Sequence, residues 1–115
     1  MVARDYVPEA GDLVWVDFTP QAGHEQAGRR PAVVLTPRAY NGKTSLAVVS
    51  PITSRRKGHP FEVPLPPPSR IQGAILVDHL KSLDWRARRA QRAGRLPPAA
   101  LAEVRLRISL LLQIP

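Results

Sequence analysis

The sequence predicts a mainly β fold, a small antiparallel barrel or half-barrel closed by one C-terminal helix. Three observations carry this. Short β-branched segments recur, each bounded by Gly, Pro or Asn. One stretch near the end has apolar residues at helical spacing. The chain has 115 residues, 43% of them hydrophobic, enough for one domain with a modest core. The whole of 1–115 is therefore expected to be a single domain.

Residues 12–18 (DLVWVDF) are β-branched and aromatic and read as the first strand. Residues 21–31 (QAGHEQAGRRP) are polar with no hydrophobic period, and read as a loop. A short apolar strand is expected over 32–36 (AVVLT), a turn at Asn41-Gly42, and a strand over 46–50 (LAVVS). Residues 54–60 (SRRKGHP) form a basic loop. The strand at 61–65 carries Pro64, which puts it at a sheet edge. Residues 65–69 (LPPPS) read as a stiff linker, and 74–78 (AILVD) as another strand. Pro97 and Pro98 suit the start of a helix. Beyond them Leu101, Val104, Ile108, Leu111 and Leu112 make one apolar stripe, with Leu106 and Leu110 on roughly the opposite side. Such a helix packs on the sheet, and its outer side suits either its own domain or a second subunit.

Charge narrows the function. Seventeen Lys and Arg against nine Asp and Glu leave a formal +8. The first 25 residues hold five of the acids and one base, so the remainder is strongly basic. A polyanionic partner, nucleic acid first, is the implied reading; Arg-rich usage for solubility is the plain alternative. Without cysteine there are no disulfides, thiolate metal sites or cysteine nucleophiles. The three histidines are scattered, and no P-loop, dinucleotide or H-E-x-x-H motif occurs. No metal or cofactor is expected. No apolar run approaches the ~20 residues of a membrane span, and no secretory h-region is visible, so a cytoplasmic location is expected.

Two constellations stand out. Residues 24–31 place Glu25, a glycine and the pair Arg29-Arg30 just before a strand, with Pro31 biasing Arg30 away from helical backbone. A guanidinium matches phosphate in bidentate fashion, though the same loop also reads as a solvated turn with an ordinary Arg–Glu pair. Thr53 and Ser54 then put two hydroxyls at a strand end, ahead of Arg55, Arg56 and Lys57. A third basic tract, Arg86 to Arg95, reads mostly as a solvated face.

Several blocks resemble the MazF/PemK/Kid group of bacterial toxins. They are G-D-L-V-W-V-D-F (11–18), E-Q-A-G-x-R-P-A-V-V-L (25–35), Y-N-G-K-T (40–44), K-G-x-P-F-E-V (57–63) and K-S-L-D-W-R-A-R (81–88). They occur in register along nearly the whole chain, with one length change near 66–71. The resemblance implies an SH3-like small β-barrel of the CcdB/Kid/MazF type with a C-terminal helix. It implies a type II toxin that is a metal-independent, sequence-specific endoribonuclease on single-stranded mRNA, a homodimer, and a cognate MazE-like antitoxin with an acidic flexible tail. By position in the family motifs, Arg30 and Thr53 carry the chemistry and Glu25 is implicated with them. Arg29, Ser54, Arg55, Arg56, Lys57, His59, Asp78, His79 and Lys81 are the expected RNA-binding residues. Departures from the family pattern at His24, Arg29, 54–56 and His79 concern sequence specificity and proton transfer, not reaction type. Two other functions fit the fold or the charge: a CcdB-like gyrase-binding toxin, and a non-catalytic SH3-like nucleic-acid-binding module.

Overall fold

The computed structural model describes residues 6–18 and 28–115. Seven antiparallel strands form one sheet: β1 (Asp12–Phe18), β2 (Gly28–Val34), β3 (Leu46–Thr53), β4 (Glu62–Pro64), β5 (Ala74–Leu76), β6 (Lys81–Asp84) and β7 (Gln91–Arg95). Their order is β4-β5-β3-β2-β1-β7, and β6 also pairs with β3. The strand β3 thus has two partners on one edge, β6 along Leu46 to Val49 and β5 at Ile52 and Thr53. The expected class forms: mainly β, an open small barrel, with the helix α2 (Pro98–Leu112) at the C-terminus.

Alternation along β1 to β3 sorts side chains onto two cores. Leu13 and Val33 pack with Ile52, Ile75, Val77 and the Leu101 and Val104 side of α2. Val14, Val16, Ala32, Val34 and Val49 face the other way, onto Phe18, Leu83 and Trp85. Burial on both faces explains why β1 reads as a nearly continuous apolar run. Leu106 and Leu110 are exposed at the outer side of the C-terminal helix, as the two-sided pattern implied; Leu112, expected in the inner stripe, is exposed instead, as is Ile114 beyond the helix end.

Three local readings are corrected. First, β2 begins at Gly28, so Gly28 to Pro31 are strand and not loop; they form the register Phe18↔Gly28 to Trp15↔Pro31 with a β1 long enough to hold them. Second, Asn41-Gly42 is no hairpin turn but lies inside a short helix, α1 (Arg38–Thr44), ended by left-handed Ser45. The Asn41 side chain is fully buried, and its amide donates to the Pro8 and Thr36 carbonyls at 2.8 Å each. Its amide oxygen accepts from the Thr36 hydroxyl at 2.7 Å, and its main-chain carbonyl accepts from the Trp85 indole at 2.9 Å. Tertiary partners therefore override the turn preference. Third, the basic tract at 86–95 is largely exposed as expected, but its end is a strand, β7, whose Arg95 bonds the buried Asp12 carboxylate at 2.9 Å. The Tyr6 hydroxyl donates to the same carboxylate at 2.7 Å, and burial with that bond pushes its pKa up so that it stays protonated.

The Asn41→Ala variant is expected to lose about 3 kcal/mol of stability, because two buried carbonyls and a hydroxyl lose their partner at ~1–3 kcal/mol each before relaxation. Urea unfolding followed by Trp emission measures it.

Candidate active site

Two prolines shape the site. The ladder between β2 and β3 holds Val34↔Val49, Val33↔Ser50 and Ala32↔Pro51, then stops. A proline cannot donate to a ladder: Pro31 faces β3 where pairing ends and lacks the N–H to continue it, while Pro51, also at that point, turns its nitrogen to the β5–β6 edge. Beyond it β2 pairs with β1 as far as Gly28, while β3 turns to β5 through Ile52↔Ile75 and Thr53↔Ala74. The two strands splay. Continuing their register by two residues sets Arg30 level with Thr53 across the gap.

That gap is a recess of about 460 Å³ lined by Arg30, Thr53, Ser54 and Arg55. The first two, predicted 23 positions apart in sequence, are thus brought together. Thr53 is only 7% exposed. Its Oγ1 accepts from the Arg55 backbone N–H at 3.1 Å, which leaves the hydroxyl proton free to donate elsewhere. The backbone of Thr53 is held from the far side by Gly73, which has φ +126°; a Cβ there would overlap the Thr53 carbonyl oxygen. Only glycine permits that approach.

A second recess of about 480 Å³ shares Arg30 and Ser54 and extends over Trp15, Pro31, Arg70 and Gln72. Ser54 also lines a third, between the basic loop and the proline-rich 65–73 segment. The three recesses adjoin at Ser54.

The basic loop is built around one acid. Glu62, in β4, accepts from the backbone N–H of Gly58 at 2.8 Å and of Lys57 at 3.0 Å, and its carboxylate lies 3.5 Å from His59 Nε2. The Gly58 N–H, then that of Lys57, hold its pKa below the usual carboxylate range against the opposing effect of burial, with the charges of His59 and Arg56 adding. Arg55, Arg56 and Lys57 stay exposed beside the recess.

The other expected contacts are placed differently. Arg29 reaches the edge of the second recess, but its guanidinium is engaged by Asp17 at 3.0 Å and by the Arg89 carbonyl at 3.0 Å. Arg89 bonds the same Asp17 at 2.8 Å, and the two guanidiniums hold that carboxyl below its usual range. Lys81, paired with Val49, shares the face of Arg30 and Thr53 and stands 6.0 Å over the Phe18 ring. Asp78 and His79 lie in a 3₁₀ turn (Val77–His79) after β5 and line neither recess that contains Arg30. Glu25 and His24 fall outside the described residues. Among the described residues, no three His, Asp or Glu side chains converge as metal ligands. Sequence reasoning missed Arg70, Gln72 and Gly73, and read Trp15 as core or interface first and as a base platform second. Trp15 sits in a strand that reads as core, and nothing local marks the 70–73 segment as facing Thr53.

Comparisons with known proteins agree with this architecture. The family described as "PemK-like, MazF-like toxin of type II toxin-antitoxin system" matches residues 9–112. The chain is 49% identical over 112 residues to the endoribonuclease toxin MazF of Escherichia coli strain K12, covering 97% of this chain and 99% of that one. The crystal structure of MazF from Deinococcus radiodurans superposes with a TM-score of 0.92 at 58% identity, covering 96% of this chain and all of that one. A MazE–MazF crystal structure from the same organism has a TM-score of 0.88, with the same identity and coverage.

Below the ordinary Glu value of 4.5, the basic loop is expected to loosen. The pKa of Glu62 is depressed in the fold, so its contribution is complete above that value and is lost as pH falls through the depressed one. Amide-exchange protection at Lys57 and Gly58 is expected to drop in acid, while Val33 and Val49 in the central ladder keep theirs.

Proposed function

Because this chain belongs to the PemK-like, MazF-like toxin family of type II toxin–antitoxin systems, we propose that the recess between β2 and β3 is where it cuts single-stranded RNA. The protein is an endoribonuclease toxin, and a MazE-type antitoxin is its cognate partner. One observation carries the site reading: the parted strands put Arg30 and Thr53 into one recess, although no contact in sequence joins them.

RNA supplies its own nucleophile. The 2′-hydroxyl attacks the adjacent phosphorus in line, the bond to the 5′-oxygen breaks, and the products are a 2′,3′-cyclic phosphate and a 5′-hydroxyl. The protein must hold that line, offset charge on the pentavalent phosphorus and move two protons. The Arg30 guanidinium is suited to two phosphoryl oxygens at once. The Thr53 hydroxyl, its lone pair occupied by the Arg55 N–H, donates a further bond. Arg is too weak an acid to serve as general base, so proton transfer falls to other groups, with Glu25 the family-implied one.

Arg55, Arg56 and Lys57 supply the electrostatic track, with Lys81 on the same face. Action on mRNA sets the cytoplasm as the place of work, and no described helix is long and apolar enough to cross a membrane. The exposed Leu106, Leu110, Leu112 and Ile114 support a homodimer of the single 1–115 domain.

Purified protein incubated with RNA in EDTA is expected to generate new 5′-hydroxyl ends. Arg30→Ala and Thr53→Ala are each expected to slow cleavage about a hundredfold or more, equivalent to ~3 kcal/mol per lost donor, with circular dichroism and melting unchanged. Full activity in either variant would remove the site assignment. Gyrase binding, the competing reading, predicts no new RNA ends in the same assay.

A further inference from the structure

We infer that the second recess, lined by Trp15, Gln72 and Arg70 among others, is the subsite for one base flanking the scissile phosphate, and that it sets sequence preference there. The inference rests on the ribonuclease reading of the Arg30–Thr53 recess and deepens it.

Four observations carry it. The two recesses adjoin: Arg30 and Ser54 line both, so a base beside a phosphate held at Arg30 has this recess within reach of one nucleotide step. Its lining includes the apolar side chains of Trp15, Pro31, Ile52 and Ile71. Trp15 is 40% exposed although its neighbours Val14 and Val16 are buried, and Pro31 lies opposite it in the β1–β2 register. An indole face of that kind stacks on any base without regard to sequence.

Polar groups at the edge supply what stacking does not. Gln72 offers both a donor pair and an acceptor, the set that reads a base edge, and it is exposed at the recess. Arg70, also exposed there, suits the next phosphate.

The edge is also fixed in place, as specificity requires. Gln72 is bonded to Gly73, whose backbone is pressed against the Thr53 carbonyl. The loop is tied at its ends by the Leu65 N–H donating to the Gly73 carbonyl at 3.0 Å, and internally by the Ile71 N–H donating to Ser69 Oγ at 3.2 Å. Any shift of Gln72 is therefore a shift relative to Thr53. Arg29, engaged with Asp17, also lines the recess, held in place rather than as a loose cation.

The test has two arms. In the unmodified protein, the two indole N–H resonances are followed during titration with a mixed-sequence oligodeoxynucleotide, which lacks the 2′-hydroxyl and cannot be cut. The Trp15 signal is expected to shift saturably while that of Trp85, buried and donating to Asn41, stays put. In parallel, end-mapping on randomised RNA compares wild type with Gln72→Ala, Trp15→Ala and Trp15→Phe.

Gln72→Ala is expected to relax the preference at one position beside the cut by about tenfold or more, leaving the other positions as they were. Trp15→Ala is expected to raise KM about tenfold or more with a smaller change in kcat, and Trp15→Phe to restore most of it. An unmoved Trp15 signal together with unchanged cut-site preference in Gln72→Ala overturns the inference. So does a Trp15 indole already sheltered by a second copy of the chain before oligonucleotide is added. Wild-type protein that cuts no RNA defeats the ribonuclease reading instead, and the resonance arm still reports on the recess.

Discussion

Everything at this site depends on two strands being unable to stay paired. Pro31, at a position of β2 that faces β3, takes a donor out of the ladder between them, and pairing stops at Ala32↔Pro51. Each strand keeps its other neighbour, β1 for one and β5 for the other, so both remain rigid after they separate. The result is a gap with stiff walls. A guanidinium projects from one wall and a hydroxyl from the other, which is a better support for phosphoryl chemistry than two loops would be.

Order is then handed outward from the gap. Thr53 closes β3, and its hydroxyl receives the Arg55 N–H, which starts the basic loop. Glu62 gathers the far end of that loop through two backbone N–H groups. A run of three cations would repel itself if unsupported, so holding its backbone by an acid leaves the side chains free for phosphate. On the other side, Gly73 closes against Thr53 and brings the proline-rich segment up to the proposed site. The Asp17–Arg29–Arg89 cluster performs a matching task at the foot of β1 and β2, where it fixes the strand that carries Arg30.

The sequence and the structure disagree in instructive places. Asn41-Gly42 has the local chemistry of a hairpin turn, yet Asn41 is among the most deeply buried polar residues, because Pro8, Thr36 and Trp85 all bond to it. Its partners lie up to 44 positions away, and no local pattern records them. The Arg-rich stretch that includes β7 reads as a solvated face for the same reason: its acids, Asp12 and Asp17, are at the other end of the chain. Arg29 and Arg30 are alike in sequence and unlike in the fold, since alternation along β2 sends one to Asp17 and the other to the gap.

What the sequence determined by itself is periodic or repeated in order: strands at 12–18 and 46–50, a strand opening at 74 that ends at Leu76 rather than at 78, an edge strand ended by Pro64, a helix opening at Pro97-Pro98, and family blocks that single out Arg30 and Thr53. Those features depend on neighbours along the chain, where steric limits and hydrophobic alternation act. The meeting of Arg30 with Thr53, the exposure of Trp15 in an otherwise buried strand, and the pressing of Gly73 on Thr53 were decided only in three dimensions. Each is a contact between residues distant in sequence, set by which strand edges pair and where that pairing fails.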